Sequence, residues 1–383
     1  MKNHNLQIIF LIIAISAAAL FFSANQSYNI NDRALVHAIG IDYDKDSDKY
    51  KISLQIFKPQ GAGSDTPIDP SKTNMQLIKA DGKNVSDALN HCQYEYGREL
   101  FMGHLQIIAF GDTVDFSNPE ELFSFAIYNK NVYLGVKLCL ADKSAEELLK
   151  TEITRGTMTS EVFTQTIDMN DRYSATVNCR LLDFLSCINT HQYIAIPVLS
   201  VKQPDKEESS QKEEENGNKS DPEIQIKETA IIKNGKILSD RLTNEEAIGT
   251  NWLTNKARSS KIIIDMDGEK VYALITKDSS KIKLTNEDGK LIYNVKLNIV
   301  AHPSKDIADK ETKKRFAHLT EEKIIDFCKK SEKKALRDNS ADIFGIWKKL
   351  RHSYPNGYIE YQNRLDEIYD SVEFNVNVDC RVA

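Results

Sequence analysis

The chain has 383 residues, a formal net charge of −6 and an isoelectric point near 5.8. That length supports two or three domains with cores of their own, and the acidic balance excludes a chain-wide attraction to nucleic acid. The six cysteines (Cys92, Cys139, Cys179, Cys187, Cys328 and Cys380) form no Cys-x-x-Cys pair, which leaves a zinc ribbon or thioredoxin-type site without support. Cys179 and Cys187 read as sharing one helix, a rise of about 12 Å apart, too far for a disulfide. Small buried thiols are the expectation.

Taken in order, the chain opens on an apolar run from Ile8 to Phe22, broken only by Ser16 and preceded by Lys2. Such a run serves as a signal-peptide core or a short membrane span. Phe21 and Phe22 stand where a cleavage site wants small residues, which favours an uncleaved anchor with Lys2 inside and the remaining chain outside. Residues 1–27 are therefore read as an N-terminal anchor or signal segment.

Ala34 to Asp42 reads as a buried strand and Tyr50, Ile52, Leu54 and Ile56 alternate as its hairpin partner. Gln60 to Asn74 is a loop. Met75 to Ala80 follows as a strand, Val85 to Tyr96 as a helix and His104 to Phe110 as a strand. Next come a helix over Pro119 to Tyr128, a strand over Val132 to Leu140 and a helix over Ser144 to Lys150. Ser144 with Glu147 fits a capping box. A helical region from Ser160 to Asn189 precedes a strand over Ile194 to Val201.

From Gln203 to Glu223 no apolar or aromatic residue occurs. Such a segment buries too little surface to offset the entropy of ordering it, so it reads as a charged flexible linker. It separates an N-terminal α/β domain, 28–202, from a C-terminal α+β domain, 224–383. The second opens with an Asn234-Gly235 hairpin and a helix over Glu245 to Leu253 anchored by Trp252. A meander follows, with strands at Lys261–Met266, Val271–Thr276, Lys281–Thr285 and Leu291–Val300 and turns at Asp267-Gly268 and Asp288-Gly289. Thr320 is positioned to cap a helix reaching Asp338 whose Ile324, Ile325, Cys328, Ala335 and Leu336 face the sheet. Ile343, Phe344, Trp347 and Leu350 are spaced as one helix face, ended by Tyr354-Pro355. A short helix with Leu365, Ile368 and Tyr369 leads to a terminal strand bearing Val372, Phe374, Val376 and Val378. The fold class expected is α+β and multi-domain, with mixed and antiparallel sheets packed by helices.

A search for chemistry is negative. No nucleophile elbow, His-Glu-x-x-His pair, P-loop or dinucleotide fingerprint occurs, so no catalytic, cofactor-binding or metal-ligating residue is assigned and no enzyme activity is expected. His91, Cys92 and His104 are the nearest approach to a metal cluster, but adjacent helical residues point about 100° apart. Two basic runs, Lys329, Lys330, Lys333 and Lys334, then Lys348, Lys349, Arg351 and His352, read first as solvated helix faces. The sharper reading is a contact face for lipid headgroups or an acidic partner.

Five stretches then resemble one family. Asn31-Asp32-Arg33-Ala34-Leu35-Val36 with Gly40-Ile41-Asp42 is similar to the start of the Ger(x)C proteins, the C subunits of bacterial spore germinant receptors. Gly97-Arg98-x-Leu100-Phe101-x-x-His104-Leu105 and Ser144-Ala145-Glu146-Glu147-Leu148-Leu149-Lys150 match in order. So do Glu245-Glu246 with Gly249 and Trp252, and Ala341-Asp342-Ile343-Phe344-Gly345 through Tyr354-Pro355. Family members usually carry a lipobox cysteine ahead of the first motif. Ala24 holds that place here, so thioether lipidation is chemically excluded at this position and the apolar segment would supply the tether. The resemblance implies a non-catalytic subunit on the outer face of the spore inner membrane, beside the integral-membrane A and B subunits. A second reading is an extracytoplasmic protein that binds a small molecule, the germinant, between the two domains.

Overall fold

The computed structural model describes residues 12–16, 32–58, 74–151, 158–188, 193–202, 222–287, 290–354 and 365–383. Of the expected N-terminal anchor only 12–16 falls within them, as helix. Ala24, the 60–74 loop apart from Asn74, the Asp288-Gly289 turn and Pro355 lie outside the described residues.

The first sheet grows from β1 (Arg33–Asp44), where a bulge between Val36 and Ala38 shifts the alternation so that Val36, Ile39 and Ile41 enter one core and Ala38 another. β2 (Lys49–Phe57) returns antiparallel to it, as the alternation of Tyr50, Ile52, Leu54 and Ile56 predicts. β3 (Met75–Gly82) pairs with β2 and feeds α1 (Val85–Tyr96), which Asn84 caps and Gly97 ends. β4 (Glu99–Phe101) and β5 (Ile107–Phe110) then run parallel to β1. The strand expected from His104 starts at Ile107 instead, because Met102–His104 form a 3-10 turn.

The helix expected over 119–128 is two turns, α2 (Pro119–Leu122) and α3 (Ser124–Ile127). They break at Phe123, which is fully buried with its ring 5.7 Å from Phe110 and 5.0 Å from Phe184. The next strand is shorter than Val132–Leu140. Turns closed by Val132 N–H on Asn129 O and Val136 N–H on Tyr133 O occupy its first part, so β6 spans Lys137–Ala141. α4 (Ala145–Lys150), α5 (Thr159–Arg172) and α6 (Leu181–Ile188) follow, the last two resolving the helical region into separate pieces. Cys179 lies before α6 and Cys187 on it, so the two do not share a helix. None of the six cysteines is in a disulfide.

β7 (Ile194–Lys202) pairs parallel with β6, and β8 (Glu223–Lys233) pairs antiparallel with β7. The strands on either side of the charged stretch 203–223 are thus neighbours in one sheet, and that sheet runs across the expected division. β9 (Lys236–Ile237) closes the Asn234-Gly235 hairpin, both turn residues having positive φ, and β10 (Leu242–Thr243) completes the edge. The order is β10-β8-β7-β6-β5-β1-β2-β3, with β4 on β1 and β9 on β8, ten strands among the described residues. One face is covered by α1, α6 and the Phe110, Phe116, Phe123 and Phe184 cluster, the other by α4 and α5.

α7 (Asn244–Leu253) leads into the second sheet, opened by a full Thr243–Glu246 capping box. β11 (Ser259–Met266), β12 (Glu269–Glu287) and β13 (Lys290–Pro303) form the meander, β12 fusing two expected strands through a bulge at Lys277/Ser279. α8 (Lys310–Glu332) is capped by Asp309, not Thr320. Thr320 lies inside it, buried, with its hydroxyl donating to Phe316 O at 2.8 Å. A wide π-turn at Lys333–Arg337 extends α8.

Ile343 and Phe344 sit ahead of α9 (Ile346–Ser353), outside the helix expected to hold them. α10 (Leu365–Ser371) leads to β14 (Glu373–Val382), which joins the sheet parallel to β13. Ile324, Phe327, Cys328, Ala335, Leu336, Trp347 and Tyr369 share one core with the inner sheet face.

Candidate functional site

The stretches that carry the resemblance resolve into packing devices. At the end of β1, Asp42 accepts hydrogen bonds from Ala145 N–H at 2.8 Å, Glu146 N–H at 2.9 Å and Ser144 Oγ at 3.1 Å. Ser144 caps the same helix through Glu146 and Glu147 N–H, so α4 starts under two caps rather than the expected box. Burial pushes the Asp42 carboxyl up, and the three bonds from α4 oppose that. Gly40 and Gly111 leave room: a methyl at Gly111 would sit 2.0 Å from Asp42 Oδ1.

The first and second motifs meet. Arg33 pairs with Glu99 at 3.4 Å and lies over the Phe101 ring at 5.0 Å. His37 stacks on His104, with ring centroids 5.7 Å apart and 9° between planes. Burial first, then His104, holds the His37 pKa below the usual histidine value. His91 is elsewhere, its Nδ1 2.7 Å from Asp81 O. Among the described residues no group of three or more His, Cys, Asp or Glu side chains is placed to hold a metal ion.

In the second half, Gly249 lets α7 touch α8. Its added methyl would meet Phe327 O at 2.0 Å. Trp252 is 1% exposed and donates Nε1–H to Ser260 Oγ at 3.1 Å. Asp342 is buried and caps α9, accepting from Phe344, Ile346 and Trp347 N–H at 3.2, 3.0 and 2.9 Å. Burial raises its pKa against those bonds. Gly345 takes the left-handed conformation, φ 71°, that this entry into α9 needs.

The two basic runs lie on different elements, α8 with its π-turn and α9. Lys330 is held by Glu245 at 2.8 Å and Asp326 at 2.9 Å, and Lys334 by Asp240 at 3.7 Å. Lys349 is half-buried, its Nζ 5.9 Å from the centre of the Tyr293 ring, and burial lowers its pKa. Lys329, Lys333, Lys348 and Arg351 are exposed, on two different elements.

The cysteines are poor nucleophiles. Burial lifts Cys187 to about 11 and Cys92 and Cys380 to about 12. The described residues include a cleft of about 550 Å3 at the β1–β2 turn by Tyr43, Tyr50 and Asp115 and another of about 580 Å3 by Asp112, Arg241 and Lys334. The second is crossed by ion pairs of Arg241 with Asp142 and Glu228, both at 3.2 Å.

Sequence reading missed the seam between the two sheets. Asn251 Nδ2 donates to Ser174 O at 3.1 Å and Thr176 O at 2.7 Å. Ser174 Oγ donates to Ser259 O at 2.7 Å, and Ser259 Oγ donates to Arg172 O at 2.6 Å. Polar residues with no local pattern gave no signal for it.

Comparison with family models matches residues 26–201 to the spore germination protein N-terminal domain and residues 227–383 to the spore germination B3/GerAC-like C-terminal domain. The chain belongs to the Ger(x)C family of spore germination proteins. This family comprises the non-catalytic C subunits of germinant receptors of the spore inner membrane, which gives the protein a role in germination. A solved structure described as the crystal structure of the GerBC protein is similar to this Ger(x)C chain, with a TM-score of 0.57 and 16% identity. The match covers 90% of this chain and 96% of that one, and at this identity it shows the fold. None of the curated proteins compared with the chain matches it.

Proposed function

We propose that this protein is the membrane-tethered C subunit of a germinant receptor, acting through contacts with the receptor's A and B membrane subunits. The observation that carries the reading is the pair of family matches, which together leave only residues 1–25 and 202–226 unmatched. The apolar run Ile8 to Phe22 supplies the tether in the absence of a cysteine at Ala24, and places the folded part on the outer face of the membrane. Among the described residues no helix is long and apolar enough to cross a membrane, and of that run only 12–16 lies within them. The seam of backbone-directed bonds at Asn251, Ser174 and Ser259 suits a subunit that presents fixed surfaces to its neighbours. In the two basic runs, the exposed Lys329, Lys333, Lys348 and Arg351 are accessible to an acidic partner.

The test is deletion of the gene in a strain with no other receptor C subunit. Spores lose the response to nutrients while vegetative growth stays normal. An undiminished nutrient response in that strain sinks the reading.

A further inference from the structure

We infer that one end of the first sheet, marked by Tyr94, Tyr128, Tyr133, Leu134 and Leu182, rests in the headgroup zone of the bilayer. The inference rests on the tether proposed above. β1, β5 and β6 run parallel, with Ala38 level with Ile107 and Ile107 level with Lys137, so their first residues lie at one end of the sheet. The chain enters β1 at that end, at Arg33. The turns from Tyr128 to Val136 lead into β6 there, and Leu182 N–H donates to Leu134 O at 2.9 Å, which brings the start of α6 beside them. α1 also finishes there, since Tyr96 and Arg98 run into β4, whose Glu99 stands opposite Arg33.

The side chains at this end are unusually exposed for their type: Tyr94 77%, Tyr128 76%, Tyr133 72%, Leu182 52% and Leu134 41%. Single exposed apolar side chains are ordinary, but a group at one end marks a contact surface. Tyrosine joins an apolar ring to a hydroxyl, the combination favoured where hydrocarbon meets water. The opposite end of the same sheet, at the β1–β2 turn, carries Lys45, Asp46 and Asp48 instead.

Chain length selects the bilayer over other occupants. Residues 23–32 separate the apolar run from Arg33 and span at most roughly 35 Å fully extended. A tether that short holds this end against the membrane at high effective concentration, so modest ring burial suffices. Charge contributes little, because Arg33, Arg98, Lys130 and Arg180 are interleaved with Glu95, Glu99 and Asp183. The contact is therefore one of rings and aliphatic groups, insensitive to salt.

The test uses the full chain in vesicles whose lipids carry bromine on the acyl chain, a short-range quencher of tryptophan. The native Trp252 and Trp347 are 1% and 3% exposed and give a buried background. Tyr133→Trp, with Tyr94→Trp as the second reporter, is compared with Lys45→Trp at the far end. The expected result is that both reporters lose the larger part of their added emission, unchanged between about 0.1 and 0.5 M salt, while Lys45→Trp emission is unaffected. A chain that floats with the vesicles but shows equal emission from all three variants overturns the inference and leaves the tether standing, pointing this face to a protein partner. A chain that does not float overturns the tether and this inference with it.

Discussion

Asp42 accepts a hydrogen bond from the backbone N–H of Ala145 at 2.8 Å, across a separation of 103 residues. One carboxylate at the end of the strand that starts the fold thereby fixes the helix that covers the sheet's second face. Gly111 and Gly40 are spaced for it, and Ser144 shares the work.

Asp42→Ala leaves Ala145 N–H without its acceptor and removes a charge from the start of α4. The expected loss is about 2 kcal/mol, from a lost cap and an unsatisfied donor. Denaturant unfolding of the full chain in detergent measures it. Asp44→Ala, two residues on in a solvent-screened pair with Lys51 at 2.8 Å, serves as the control and should change stability by much less than Asp42→Ala.

Asp342→Ala strands three backbone donors at once and should cost about 3 kcal/mol. Asp342→Asn keeps the Oδ1 position that serves Phe344 and Ile346 but turns an amide toward Trp347 N–H, so an intermediate loss is expected. Equal stability of both variants and the parent would show that the cap contributes nothing. The raised pKa adds a pH signature. Stability from protonated Asp342 is present below the unfolded value of 3.8 and is lost as pH rises through the folded value. Above that window the three bonds hold a charged cap.

Gly249→Ala forces α7 off α8, since the new methyl would overlap Phe327 O. A loss of about 2 to 3 kcal/mol is expected, by the reasoning for overpacked interiors. Gly268→Ala meets no atom within 4 Å, but its φ of 87° disfavours a side chain, so about 1 kcal/mol is expected. Thermal melts of the two variants should rank them in that order.

His37 titrates below 6.5, so the unfolded chain binds more protons than the folded one between the two values. Stability therefore falls as pH drops through 6.5. His37→Gln should flatten the melting temperature between about pH 7.5 and 5.5. A slope identical to that of the parent would remove His37, lowered first by burial and then by His104, as its source.

Local pattern made much of the fold legible. α1 was readable end to end because apolar spacing, Asn84 and Gly97 all act within the helix itself. The Asn234-Gly235 hairpin was readable because positive φ at both positions restricts the residue types. Where the reading failed, a distant partner decided. Phe123 breaks a helix to reach Phe110 and Phe184. Thr320 looked like a cap but is buried inside a helix that Asp309 starts. Ile343 and Phe344 have helical spacing, yet Asp342 draws the backbone N–H groups around itself before α9 begins.

The candidate surfaces divide the same way. Lys330 and Lys334 form a run with their neighbours in sequence, whereas the fold pairs them with Glu245, Asp326 and Asp240. The exposed tyrosines 94, 128 and 133 had no motif and became a group only when parallel strands set their starting ends side by side.

By itself the amino-acid order determined the family and most single elements, because capping, turn chemistry and apolar spacing act over a few residues. Only the tertiary structure decided that the strands flanking the charged stretch share a sheet, that β14 lies parallel to β13, and which polar side chains close the seam. Those outcomes depend on backbone hydrogen bonds between segments far apart in sequence, and such pairing leaves no local periodicity to read.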